Sequence, residues 1–466
     1  MPDELWRESA GGLAAMIRAR EVSSREVLEA HIARIDAVND RVNAIVELRR
    51  EEALAEADVA DANVRVGDAN GPLHGVPFTV KTNIDVAGYA TNEGTIALKD
   101  FMAASDAPTV ERMRAAGAVV LARTNMPDLG LRVNTESSLY GATHNPWRHG
   151  ITVGGSSGGE AASIASGMSP LGLGNDIGGS LRNPAYACGI TSIKPSRGRV
   201  PQGNPSALVE MALSSQVMQA EGVLARHVSD VRLGLEAVMG AHRGDPQTID
   251  APLRGRPVAR RVALVPAPLG GDTHPDIAEG VRRAGRALQA AGYEVDEVEP
   301  PMLFEAYLAW AELMVGTLSA TRPLLDPLMG EGGRRFLDLT AGNFPEPTMD
   351  SMFASHQSRY GVARAWCAFM ATYPLVVGPT WTQPPFAHGY DIKDVESAMK
   401  VVEMYRFVTP ANVLGLPAVC VPTGVANGLP TGAQVIGSLF REDLCLDAAE
   451  VIEESVGVLT PINPRD

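Results

Sequence analysis

Apolar positions in the first third of the chain follow helical spacing and strand spacing in turn. In "SSREVLEAHIARI" (residues 23–35), Ser23 and Glu26 match a capping box, and Leu28, Ile32 and Ile35 recur at helical intervals, so an amphipathic helix is predicted. A polar helix follows in "RREEALAEADVADA". The run "GVPFTVKTNIDVAG" (75–88) is short, apolar and bounded by glycines, which predicts a buried strand. A helix in "DAPTVERMRAAG" and a strand in "AVVLARTN" come next.

The same alternation resumes in the second half of the chain. "RRVALVPAP" predicts a strand, "DIAEGVRRAGRALQAAG" a helix and "YEVDEVEP" another strand. Further strands are predicted in "PLVVGPTW" and "PAVCVPTG", with a closing helix in "REDLCLDAAEVIEES". Strands that alternate with helices predict an α/β fold with a mainly parallel sheet.

The chain shows no internal repeat and no long linker, so a single domain over residues 1–466 is predicted. Within it we expect N-terminal helices at 1–65, a core at 66–245 and the rest of the sheet at 258–466. Residues 300–365 are rich in Leu, Met and aromatic residues without strand alternation, which predicts a helical insertion over one face. The basic run "RGRPVARR" (254–261) is predicted to be a solvated linker.

Charge and cysteine usage narrow the functional class. The 466 residues carry 40 Lys and Arg against 55 Asp and Glu, and a net charge of −15 argues against nucleic acid or an anionic membrane as a partner. The N-terminus shows no signal peptide, and "AFMATYPLVVGPTW" is too short and too rich in proline to cross a bilayer. We expect a soluble, cytoplasmic protein. Four separated cysteines without metal-ligand spacing are expected as reduced, mostly buried thiols: Cys188, Cys367, Cys420 and Cys445.

Two Gly/Ser-rich segments, "VGGSSGGEAASIASG" (153–167) and "GNDIGGSLRNP" (174–184), carry the candidate chemistry. A flexible linker would not continue into small apolar residues that predict close helix packing. A phosphate loop would need G-x-x-x-x-G-K-[ST] or G-x-G-x-x-G, and neither is present in the right setting. "GGSSGG" contains G-x-S-x-G centred on Ser156 and on Ser157, but the preceding strand is weak. The later histidines are in ordinary settings and are expected at the surface: His227, His242, His274, His356 and His388.

A serine nucleophile can use a lysine as its base, because burial lowers the pKa of an ammonium group. Lys81 is the candidate, since it follows an apolar strand where a lysine is unexpected. The segment "DIGGS" provides successive N–H groups that can converge on a developing oxyanion. The predicted oxyanion donors are Ile177, Gly178, Gly179 and Ser180.

With these residues in place, the chain resembles the amidase-signature hydrolases. The signature region is "GGSSGGEAASIASGMSPLGLGNDIGGSLRNPAYACGITSIKPS", and "LHGVPFTVKTNIDVAG", "YGATHNPW" and "GLPTGAQVIG" extend the resemblance over most of the chain. It implies a central mixed, mainly parallel, twisted β-sheet covered by helices on both faces. It also implies Ser180 as the nucleophile, Lys81 as the base and Ser156, behind a cis peptide bond, as the proton relay. Ser157, Asp176 and Arg182 match supporting positions that form hydrogen bonds around the site.

The resemblance implies acyl transfer without a metal or a cofactor. We expect a stand-alone hydrolase of small amides, with apolar or aryl amides favoured because no charged cluster in the sequence marks a pocket for a charged substrate. Aryl carbamates (urethanes) and esters are alternatives with the same triad, and a glutamine-dependent amidotransferase subunit is the alternative of another class. Tyr405 stands where such a subunit would carry an acidic residue, which argues against that alternative.

Further expectations concern the substrate and the assembly. Gly130 and Leu131 are expected at the substrate, and segments 200–218 and 300–365 along the acyl and leaving-group pockets. "MALSSQVMQAEG" (211–222) is a candidate mobile loop by composition. Asn175 and Ser196 each stand at a position where the family usually has Thr. A monomer or a homodimer is expected.

Overall fold

An 11-stranded β-sheet forms the centre of the computed structural model, which describes residues 2–207 and 209–466. The strands, numbered in chain order, are β1 (Ile45–Leu48), β2 (Pro77–Lys81), β3 (Val119–Thr124), β4 (Glu136–Ser137), β5 (Gly141–Ala142), β6 (Leu171–Asp176), β7 (Thr191–Lys194), β8 (Ala220–Ala225), β9 (Arg261–Leu264), β10 (Glu294–Glu297), β11 (Leu375–Pro379), β12 (Ala418–Ala426) and β13 (Leu429–Gly437). The order in the large sheet is β1-β3-β2-β6-β8-β7-β12-β13-β11-β9-β10, and β4 pairs with β5 separately.

The sheet is mixed, as expected, and its parallel pairs lie in two groups. Strand β2 runs parallel to β3 and β6, and β9 runs parallel to β10 and β11. From β6 through β8, β7, β12 and β13 to β11, every neighbouring pair is antiparallel. One cause is local: only Asn427 and Gly428 separate β12 from β13, and both have positive φ, which forms a tight hairpin turn. An Asn-Gly turn of this kind connects antiparallel strands only.

Helices cover the sheet, most of them where the periodicity predicts them. They are α1 (Ala10–Ala19), α2 (Ser24–Val42), α3 (Arg50–Val66), α4 (Pro108–Ala115), α5 (Gly158–Ala165), α6 (Arg182–Cys188), α7 (Leu213–Met218), α8 (Val228–Val238), α9 (Pro275–Ala290), α10 (Leu303–Leu325), α11 (Glu331–Ala341), α12 (Met349–Met370), α13 (Val395–Met404), α14 (Thr409–Val413) and α15 (Glu442–Val456). Both hydrogen bonds of the predicted capping box at Ser23 and Glu26 are present, and they fix the start of α2.

Apolar side chains lie on both faces of the sheet. In β12, Val419 and Val421 pack with α9 and α15 on one face, whereas Ala418 and Cys420 pack against the other. Successive strand residues point to opposite faces, so a strand that is apolar throughout is buried from both sides. The expected helical cover on both faces is confirmed.

Two segments that the sequence singled out have defined structures here. Residues 303–370 contain α10, α11 and α12, in agreement with the predicted helices, and their role as an insertion over one face stays a prediction. Residues 211–222, a candidate mobile loop by composition, instead contain α7 and the start of β8, where residues 220–222 pair with β6. Leu208, in the adjoining segment, lies outside the described residues.

Other expectations concern exposure. Residues 254–260 are exposed, in agreement with the predicted solvated linker, whereas the five later histidines, expected at the surface, are half-buried. Three of the cysteine thiols are buried and free, and Cys367 is exposed and free. None of the helices in the described ranges combines the length and apolar character needed to cross a bilayer.

Candidate active site

Lys81 is the last residue of β2, and its ammonium nitrogen lies between two side-chain oxygens. Lys81 Nζ is 2.7 Å from Ser156 Oγ and 2.8 Å from Asn175 Oδ1. Strands β2 and β6 are parallel neighbours, so their carboxyl ends meet at one edge of the sheet, which places Lys81 beside Asn175. The segment that leads into α5 then brings Ser156 to the same edge.

The surroundings of Lys81 favour its neutral form. Burial lowers the pKa of Lys81 from 10.5 to about 7, although the carboxylates of Glu93 and Asp176 act in the opposite direction. A lysine with this pKa is largely neutral just above pH 7 and can accept a proton there.

Small residues allow the segment around Ser156 to pack closely. A Cβ placed at Gly155 would lie 2.6 Å from the carbonyl oxygen of Arg132, and one at Gly158 would overlap the side chain of Thr135. The peptide bond between Gly155 and Ser156 is cis. A Cβ at Gly174 in β6 would lie 2.8 Å from Ser157 Oγ. The Gly/Ser-rich composition is therefore a packing requirement of an ordered site.

Asp176 and Arg182 form a buried ion pair that shapes the loop after β6. Arg182 Nη2 is 2.9 Å from Asp176 Oδ1, and both side chains are fully buried. Burial opposes ionisation of Asp176, but the charge and hydrogen bonds of Arg182 outweigh it and hold the pKa of this carboxyl below its usual range. The same carboxylate accepts hydrogen bonds from the Gly179 and Leu181 N–H groups at 2.7 and 3.1 Å, so the loop wraps around it.

This loop changes the predicted set of oxyanion donors. The Gly179 N–H group already donates a hydrogen bond to the Asp176 carboxylate. The N–H groups of Ile177, Gly178 and Ser180 have no acceptor within the described part of the chain. Three of the four expected donors are therefore available to a ligand.

Ser180 follows directly after this loop. The residue is 8% exposed, and its side chain makes no hydrogen bond to other described residues. The Ser180 carbonyl accepts the Ser157 N–H at 3.2 Å, which joins the two Gly/Ser-rich segments. Ser180 is thus a buried residue whose hydroxyl group forms no hydrogen bond with the described residues.

The two residues expected at the substrate lie at the end of a short 3-10 helix, Asp128–Gly130, and directly after it. A Cβ at Gly130 would lie 3.2 Å from Ser156 Oγ, so Gly130 borders the candidate relay serine. Leu131 is partly buried against the apolar cluster on that face of the sheet. A contact between Leu131 and substrate stays a prediction.

Three neighbours of the site were not assigned to it from the sequence. Asn175 was noted only as a departure from the family pattern, yet it bonds to Lys81. Trp310 of α10 donates from Nε1 to the carbonyl of Ile177 at 2.8 Å and stacks edge-on against the buried Tyr405. Glu93 is half-buried, has a φ of 52°, and burial raises its pKa to about 7. No local pattern around Glu93 predicts its position near Lys81, because the two are linked only through the fold.

Ser196, the other position that departs from the usual family residue, has its hydrogen bonds elsewhere in the fold. It accepts the Phe440 N–H on its hydroxyl and donates its own N–H to Glu442. These contacts join the end of β7 to the start of α15.

Comparisons with known proteins identify the family and the fold. A family model described as Amidase matches residues 26–446. An indoleacetamide hydrolase of Bradyrhizobium diazoefficiens is 40% identical over 98% of this chain and 88% of that relative. An acylamidase of Rhodococcus erythropolis is 32% identical over 96% of this chain and 94% of its own length. The solved structure of a 6-aminohexanoate cyclic dimer hydrolase is 29% identical, covers 99% of both chains and has a TM-score of 0.84.

Proposed function

The chain belongs to the amidase family and is an amide hydrolase, and we propose that it works alone on small apolar or aryl amides through an acyl-enzyme on Ser180. One observation carries this proposal: a buried lysine with a pKa of about 7 lies 2.7 Å from Ser156, in a site that also holds free N–H groups beside Ser180. The relative with 40% identity is named for indoleacetamide, an aryl-bearing primary amide, which supports this substrate class.

In the proposed acylation step, Ser180 Oγ attacks the amide carbonyl carbon. Its proton passes to Ser156, whose own proton passes to the neutral amine of Lys81. The N–H groups of Ile177, Gly178 and Ser180 hold the negative charge that develops on the carbonyl oxygen. A single donor of this kind contributes about 10²–10³ in rate.

Collapse of the tetrahedral intermediate breaks the C–N bond. The Lys81 ammonium returns a proton through Ser156 to the leaving nitrogen, which departs as a neutral amine or as ammonia. Water then attacks the acyl-enzyme by the same route, and Ser180 recovers its proton as the acid leaves. Ser157, Asp176 and Arg182 have supporting roles in this scheme, since they hold the loop that carries the donors.

Related reactions remain predictions. Aryl carbamates and esters pass through the same tetrahedral geometry and are expected as secondary substrates. The single-domain organisation and a monomeric or homodimeric state are likewise part of the proposal. Tyr405, which is buried against Trp310, gives the chain no carboxylate at that position for glutamine binding.

The test is a comparison of initial rates on indoleacetamide, an aryl anilide, an aryl carbamate, an aryl ester and glutamine. Each substrate is measured with the wild type and with Ser180→Ala, whose fold is checked by circular dichroism. We expect amide turnover that disappears in Ser180→Ala, together with an acyl adduct on the Ser180 peptide in the wild type by mass spectrometry. Turnover of glutamine alone, or amide turnover that survives in Ser180→Ala, would refute the proposal.

A further inference from the structure

A cavity of about 930 Å³ reaches Asn175, the hydrogen-bond partner of Lys81, and acidic and amide side chains make up half of its lining. Leu129, the neighbour of Gly130, also lines it. Six carboxylic acids line it against two arginines: Glu93, Asp106, Glu111, Glu210, Glu221 and Asp245, with Arg197 and Arg243. The sequence showed no charged cluster because these residues come from separate segments of the chain.

Most of these acids already have partners in the protein. Glu221 accepts from Thr109 Oγ1 at 2.5 Å, and Asp245 accepts backbone N–H groups. Asp106 pairs with Arg114, and Glu111 pairs with His242. The carboxylate of Glu93 makes no hydrogen bond within the described residues, and unlike the exposed Glu210 it is half-buried. Glu93 is therefore the half-buried carboxyl group of this cavity that the described residues leave unpaired, and above its pKa of about 7 it is mainly ionised.

Two amide side chains in the wall of the same cavity also have polar atoms without partners. Gln202 is 4% exposed and lines the cavity, and neither its amide oxygen nor its amide nitrogen has a partner among the described residues. The buried amide oxygen of Asn83 is also unpaired and belongs to the same wall. A buried polar group without a hydrogen bond costs about 1–3 kcal/mol, so these groups are suited to a polar ligand.

Two arginines also line the cavity, and they offset its carboxylates only in part. Arg197 donates from Nε to the Gln216 carbonyl and from Nη2 to Gln247, its buried Nη1 has no partner among the described residues, and Arg243 is exposed. The unpaired groups of this cavity are therefore three acceptors, namely the Glu93 carboxylate and the amide oxygens of Asn83 and Gln202, and two donors, Gln202 Nε2 and Arg197 Nη1. An ammonium group has three N–H donors, a positive charge and no acceptor.

We propose that this cavity is a subsite for a primary ammonium group of the substrate, with Glu93 as its counter-ion and the amide oxygens of Asn83 and Gln202 as further acceptors. The inference rests on the proposed function and adds a substrate class to it: amides that carry an alkylamine in addition to an apolar body. Neutral Lys81 does not repel such a group, whereas a protonated Lys81 does.

Two pairs of isosteric amides test the subsite at pH 8, where an alkylammonium keeps its proton. The first pair is 6-aminohexananilide and heptananilide, which places the charge on the acyl side. The second is N-(2-aminoethyl)benzamide and N-propylbenzamide, which places it on the leaving-group side. Each substrate is measured with the wild type, with Glu93→Gln and with Glu111→Gln. Glu111→Gln is a charge-matched control, because the Glu111 carboxylate is exposed.

We expect at least one ammonium substrate to exceed its neutral isostere about tenfold in kcat/KM. Glu93→Gln should remove that advantage, and Glu111→Gln should retain it. Because Glu93 also influences Lys81, Glu93→Gln changes both members of a pair, and the ratio within the pair isolates recognition of the amine. A ratio near one in both pairs, or an advantage unaffected by Glu93→Gln, overturns the inference.

Two further results separate this inference from the proposed function. If the neutral isosteres are not hydrolysed, or are hydrolysed by Ser180→Ala, the proposed function itself fails. If Glu93→Gln does not fold, the wild type alone decides: competitive inhibition by n-butylammonium but not by n-butanol supports the subsite, and equal or absent inhibition overturns it.

Discussion

Replacement of Asn175 by aspartate tests the electrostatic basis of the proposed mechanism. The substitution leaves the size of the side chain unchanged but puts a carboxylate where the amide oxygen now lies, 2.8 Å from Lys81 Nζ. The carboxylate favours the protonated form of Lys81, and a protonated lysine cannot act as the base. The pKa of Lys81 should therefore rise from about 7.

The expected size of the shift follows from this distance. Unit charges about 3 Å apart interact by about 5–6 kcal/mol at an effective dielectric constant of about 20. Desolvation of the new carboxylate offsets part of this, and an adjacent opposite charge commonly shifts a pKa by about 1–3 units. For a shift of about 2 units, the neutral fraction of Lys81 at pH 7.5 falls from about three quarters to about 3%, so the rate falls about 25-fold.

The assay is the pH dependence of kcat/KM on an aryl amide between pH 5.5 and 10. The wild type should gain activity as the pH rises through about 7, and Asn175→Asp should gain it 1–3 units higher and recover at alkaline pH. Asn175→Thr is the matched control, because it keeps a neutral oxygen and should leave the rise near pH 7. An acid limb that stays near pH 7 in Asn175→Asp would show that Lys81 is not the titrating base.

Two other substitutions test the supporting structure. Asp176→Asn leaves the buried Arg182 without its counter-charge and should destabilise the protein by about 3–5 kcal/mol, measured as the change in unfolding free energy in urea; an unchanged midpoint would contradict the assigned role. Gly130→Ala places a Cβ 3.2 Å from Ser156 Oγ at a φ of 70° and should lower kcat about tenfold or more. Gly141→Ala is its control, with a φ of 78° and open space around the added carbon, so a comparable loss of kcat there would refute a local effect at Ser156.

Much of the fold could be predicted because its signals are local. The capping box at Ser23 and the apolar runs in β2 and β3 depend on neighbouring residues, and the structure has these elements at the predicted places. The antiparallel pairing at the centre of the sheet could be predicted from local signals only in part. The Asn427-Gly428 turn that joins β12 to β13 is a short-range signal, whereas the pairing of β6 with β8 depends on contacts between distant segments.

The sequence by itself determined the secondary-structure pattern, the α/β class and the residue types of the candidate site, because periodicity and motifs are properties of neighbouring residues. Only the tertiary structure decided how those residues behave. It buried Lys81 and so lowered its pKa, and it turned the Gly179 N–H group toward Asp176. It also gathered Glu93 and five other acids from separate segments around one cavity. Each of these effects depends on distance through space and on exclusion of water, and both arise only when segments far apart in the chain pack together.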